Sequence, residues 1–118
     1  QIRLIKLQYQ QGPSPNICCR MTLHKLSVVL GYTALSYMWG NSSSNKISVN
    51  GEDFWIYDNL FDFLTVQSAN AEFCRSTYLW VDQVCINQSN TDERNHQVNL
   101  MSKIYQLATG TIVWLGLP

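Results

Sequence analysis

Charge is scarce in this chain. Only 14% of its 118 residues are Asp, Glu, Lys or Arg, against about 25% in ordinary soluble domains. Positive and negative charges cancel, so the cationic surplus that neutralises a nucleic-acid backbone is missing, and no such partner is expected. Long apolar runs are absent as well. Nothing approaches the roughly 18–20 residues that cross a bilayer, so no membrane span is expected. No internal repeat is visible, which removes solenoids and propellers. The four cysteines include no CxxC pair, a spacing that supports neither a zinc site nor a disulfide framework. They read as reduced thiols of a cytoplasmic protein, and no metal is expected. The chain opens on Gln1 without a signal-peptide pattern, as expected of one domain, 1–118, belonging to a longer protein.

What is present is enough apolar material for a core, 46% of the residues, which argues against disorder. The charge balance is uneven along the chain. Arg3, Lys6, Arg20, Lys25 and Lys46 stand in residues 1–50 without an acid, and all the carboxylates follow Gly51. Two such halves attract each other inside one domain. A basic N-terminal face meeting an acidic partner is the sharper alternative.

Hydrophobic patterning predicts strands at 2–7, 17–26 and 33–39, with a loop at 11–16 and a polar run from Asn41 to Asn45. Asn50-Gly51 suits both positive-φ positions of a type I′ turn. That turn sets Val49 opposite Glu52 and Ile47 opposite Phe54, with Ile47, Phe54 and Ile56 on one face. A helix follows, capped by Asp58 or Asn59, with Leu60, Phe63, Leu64, Gln67 and Ala71 on one stripe. An apolar strand begins at Tyr78 and is expected to be central. A second helix is marked by Asn90 and Glu93 at capping-box spacing, an apolar seam of Val98, Met101, Ile104, Tyr105 and Ala108, and Gly110 as its stop. Thr111–Leu115 is a last strand. A helix between apolar strands at 78–86 and 111–115 is a βαβ unit. The fold class is therefore α/β: a mixed sheet with a hairpin-rich N-terminal part, a C-terminal βαβ unit and helices packed on the sheet.

Polar residues at the carboxyl end of a parallel strand mark the usual place for a site in such folds. Asp82, Cys85, Asn87 and Gln88, followed by Asp92 and Glu93, fit that place, and the helix N-terminus there offers free amides. Asp82 suits a general base or ribose-hydroxyl acceptor, or a holder of loop amides. Cys85 with His96 could form a nucleophile and base, or be a buried thiol. Asn87 and Gln88 suit either a ligand's polar edge or a turn. Glu93 is an acid or a reciprocal helix cap. Trp39 and Gly40 end their strand as a ligand-stacking platform, unless Trp39 joins the core. No phosphate loop, GxGxxG or Ser-His-Asp motif names a reaction.

Three blocks carry a resemblance. Tyr32-Thr-Ala-Leu-Ser-Tyr-Met-Trp-Gly40, Leu79-Trp-Val-Asp-Gln-Val-Cys-Ile-Asn-Gln88, and Glu93-Arg94 through Val113-Trp-Leu-Gly116 resemble, in order and spacing, the fungal heterokaryon-incompatibility (HET) domain. Met38 replaces a more usual Val or Thr, and Gln83 stands where Ala is common, adding a polar group beside Asp82. The resemblance implies a signalling and interaction domain that triggers programmed cell death in fungal non-self recognition. Its partners would be other protein domains or further copies of itself. It also implies a remote likeness to Toll/interleukin-receptor (TIR) domains, some of which cleave NAD with a glutamate. The alternative function is thus a TIR-like NAD or nucleotide hydrolase that needs no cofactor and takes NAD as substrate. Glu93 and Asp82 would be its catalytic acids, with Trp39, Gly40, Asn87 and Gln88 binding the ligand in a cleft near Trp39. Carboxylates there would stabilise a cationic sugar-like transition state.

Overall fold

The computed structural model describes residues 1–10, 16–26, 31–40 and 44–117. The expected loop at 11–16 and the polar run from Asn41 lie mostly outside the described residues. Seven strands form one mixed sheet: β1 (Ile2–Leu7), β2 (Cys18–His24), β3 (Tyr32–Tyr37), β4 (Asn45–Val49), β5 (Glu52–Ile56), β6 (Tyr78–Trp80) and β7 (Gly110–Trp114), in the order β5-β4-β2-β1-β6-β3-β7. The helices are α1 (Asp58–Ser68), α2 (Ala71–Ser76), α3 (Asp82–Cys85) and α4 (Thr91–Leu107). The α/β class and the hairpin-rich N-terminal part are as the patterning predicts.

The Asn50-Gly51 hairpin has the expected register, Val49 opposite Glu52 and Ile47 opposite Phe54. Both turn residues have positive φ, +53° and +85°, which Asn tolerates and glycine adopts without a Cβ penalty. Ile47 and Ile56 are buried with Phe54 packed against them.

Both faces of the sheet are covered near its centre, since the consecutive residues Leu4 and Ile5 of β1 are each fully buried. Alternation along β3 separates the two layers. Tyr32 donates its hydroxyl to the Ile104 carbonyl of α4, and Trp80 meets Tyr105 of α4 edge-on at 5.6 Å. On the opposite face Phe63 of α1 packs edge-on against Trp114 at 5.4 Å. Burying side chains such as Phe63, Leu64 and Trp80 contributes about 1.5–3 kcal/mol each.

Several expectations are corrected. The first helix takes its N-cap from Tyr57, without a side-chain cap. Asp58 instead accepts from Asn45 (2.7 Å), and Asn59 donates to the Met38 carbonyl (2.8 Å). That helix stops at Ser68, so Ala71 lies outside its stripe and opens α2, whose Asn70 cap accepts from Phe73 N–H. The strand from Tyr78 ends at Trp80, and residues 82–85 form a helical turn. The unit β6-α4-β7 exists, but its strands are not neighbours. Each pairs in parallel with β3, which lies between them. On α4, Val98 is 51% exposed while Gln97 is buried, because the buried stripe runs through Gln97 and Ile104. Gly110 has no positive φ and begins β7, so α4 ends without a left-handed glycine.

Candidate functional site

The candidate residues gather where β3 and β6 end and α3 begins. Asp82 opens α3, directly after the extended Val81. Its Oδ1 accepts from the Tyr37 hydroxyl (3.0 Å), and both its oxygens lie 3.1 Å from Trp39 Nε1. Gln83 does not face solvent. It is 4% exposed, donates to the Tyr37 hydroxyl (2.7 Å) and accepts from the Tyr57 amide (2.9 Å). Burial beside the Asp82 carboxylate raises the Tyr37 hydroxyl pKa well above the phenol range.

Trp39 therefore spends its N–H on Asp82, and its ring leans on Tyr57 with centroids 5.3 Å apart. Gly40 follows at φ +96°, a backbone conformation that favours glycine. These contacts tie the end of β3 to α3 and to the entry of α1.

A second group forms around Glu93. Arg3 of β1 grips its carboxylate with both guanidinium nitrogens, Nη2 to Oε1 at 2.7 Å. The Asn87 amide donates to the same carboxylate at 2.9 Å. These donors hold Glu93 below the ordinary glutamate pKa, the Arg3 hydrogen bond most of all, while partial burial opposes them. The capping box is half formed. Asn90 accepts from Glu93 N–H at 3.0 Å, but the Glu93 carboxylate reaches Asn87 and Arg3 in place of the Asn90 amide, because a guanidinium is the stronger partner.

Gln88 connects the groups, donating to the Asp82 carbonyl at 2.8 Å, and Asn87 closes a turn by accepting from Ser89 N–H and Oγ. Asp82 and Trp39 thus meet, Glu93 and Asn87 meet, and Gly40 lies beside α1. The nearby cleft of about 590 Å³ is not at Trp39. It opens between Arg3, Asn87 and Gln88 on one side and Asn50, Asp53 and Phe54 of the hairpin on the other.

The Cys85–His96 pair does not form. Cys85 is fully buried, with its sulfur near Val81 N–H and the Leu79 carbonyl, and burial pushes its thiol up to about 12. His96 and Asp92 are exposed on α4. Sequence reading missed Arg3, Tyr37 and Tyr57. Arg3 carried the one available hint, a cation in the basic N-terminal stretch with no nearby acid. Among the described residues no group of three or more His, Cys, Asp or Glu is placed to hold a metal. No helix among them is long and apolar enough to cross a membrane.

Comparison with known proteins matches the chain to one family. The model of a family described as heterokaryon incompatibility protein (HET) matches residues 32–118. Heterokaryon incompatibility protein 6, OR allele, of Neurospora crassa is 32% identical over 129 residues, covering 98% of this chain and 18% of that protein. The chain thus spans less than a fifth of that relative. No solved structure matches.

Proposed function

Because this chain belongs to the heterokaryon incompatibility (HET) family, we propose that it is a signalling and interaction domain that triggers programmed cell death in fungal non-self recognition, acting through contacts with further copies of itself. The observation that carries this reading is the outer edge of β7. Among the described residues the strand pairs only with β3; Val113 within it is 64% exposed, and Leu115 and Leu117 just beyond it are 91% and 57% exposed. No charged residue follows Lys103. Sheet edges are normally blunted by charge, proline or cover, and an exposed apolar edge that carries no charge among the described residues suits pairing with another strand.

The test combines sedimentation with expression in a fungal host. The native chain should associate as its concentration rises, and a Val113→Lys chain should associate less and kill less. A chain that stays monomeric at high concentration yet kills on expression would overturn the reading.

Both acids suit positioning better than NAD cleavage. Asp82 is occupied by Tyr37 and Trp39, and the Glu93 carboxylate is neutralised by Arg3, which weakens its ability to stabilise a cationic transition state. Incubation of the associated chain with NAD, followed by assay for nicotinamide, tests the hydrolase alternative directly; release that is lost in Glu93→Gln would establish it.

A further inference from the structure

We propose that the face of the sheet bearing Lys6 and Arg20 is an anion site, where these two cations hold the phosphates of a soluble polyphosphate-bearing molecule. The two residues are direct cross-strand partners in the antiparallel β1–β2 pair, so their side chains share a face. They line a cleft of about 610 Å³ together with Cys18, Thr22, Ser48 and Tyr78. That volume suits a nucleotide-sized ligand. No carboxylate is among its described lining residues.

Two other cations of the basic half are engaged, Arg3 with Glu93 and Lys46 with Asp53. Lys6, Arg20 and Lys25 make no ion pair among the described residues, and of these three only Lys6 and Arg20 line the cleft. Like charges placed directly opposite each other across a sheet repel, and a bound anion between them turns that repulsion into attraction. The cleft is also partly organised. The Lys6 ammonium lies 5.2 Å from the Tyr78 ring centroid, and His24 of β2, on the far side of β1, meets that ring edge-on at 5.7 Å. His24 is in turn fixed by Thr22 at 2.7 Å. A cation–π contact keeps Lys6 in place without discharging it, and Arg20 supplies a planar fork suited to two phosphate oxygens.

Inorganic pyrophosphate is the probe, titrated into the 118-residue chain at low salt by calorimetry and thermal melting. Saturable binding that raises the melting temperature is expected. Arg20→Gln and Lys6→Gln should each weaken it about tenfold or more, and Lys46→Gln, which removes a cation already paired with Asp53, should leave it unchanged. Without pyrophosphate the first two variants should melt no lower than the native chain, because each relieves a like-charge pair. Arg20 is exposed, so its variant keeps the test sound if Lys6→Gln fails to fold. Absence of saturable binding, or equal binding by both variants, would overturn the proposal. So would binding to phosphoinositide-containing vesicles with no response to free pyrophosphate, which would assign the cations to a lipid headgroup.

Discussion

Glu93 illustrates how a residue suited to chemistry is put to use in holding the fold. Its carboxylate joins β1 to the start of α4 through Arg3 and fixes the 86–89 loop through the Asn87 amide. Its pKa is lowered on folding, so the stability it contributes is present above the ordinary glutamate range and is lost as pH falls through the folded value. Glu93→Gln should therefore cost about 1 kcal/mol at neutral pH, partial exposure keeping the figure small. Urea unfolding measures it, and the gap between native and variant chains should narrow as pH falls below the ordinary glutamate range and close below the folded value. A catalytic acid would show the opposite pattern, activity lost with the unfolding midpoint unchanged. Cys85 gives a second residue-level expectation. Fully buried and with its thiol pushed up to about 12, it holds almost no thiolate at neutral pH. Iodoacetamide should leave it unmodified in the native chain while labelling the half-buried Cys18, as peptide mass spectrometry would record.

At the level of elements, Asp82 acts as a clamp. One carboxylate gathers the end of β3 through Tyr37 and Trp39, and Gln83 extends the connection to Tyr57 at the entry of α1. Removing it strands two donors in a partly buried setting, which costs more than the mean worth of their hydrogen bonds. Asp82→Ala should lower unfolding stability by about 2–3 kcal/mol. The loss should be accompanied by a change in tryptophan fluorescence, since Trp39 loses its only hydrogen-bond partner among the described side chains. An unchanged midpoint would mean the three side chains do not act together.

At the scale of the whole molecule, the two oppositely charged parts of the chain are drawn together in the fold. Arg3–Glu93 and Lys46–Asp53 both cross the boundary near residue 50, as expected from the asymmetry. The two edges of the sheet contrast. The β5 edge begins with the exposed acids Glu52 and Asp53, which discourage strand addition. The β7 edge has no charge. Val113→Lys should accordingly reduce association, measured by light scattering against concentration, while shifting the melting temperature little, because Val113 is 64% exposed. Equal association of native and variant chains would place the contact elsewhere.

Most elements of the sheet were legible in the amino-acid order alone, and so was the Asn50–Gly51 register, because alternation, turn chemistry and caps act over a few residues. The short helices α2 and α3 were not, since one or two turns carry too little periodicity to distinguish from a loop or a strand end. The clustering of Asp82, Asn87, Gln88 and Glu93 near the start of α4 followed from chain proximity. Their partners did not. Arg3 lies 90 residues from Glu93 and Tyr37 lies 45 from Asp82, and polar pairs at that separation leave no local pattern. Insertion of β3 between β6 and β7 was likewise decided only when the strands assembled, because hydrophobic strands of similar length specify burial and not their neighbours.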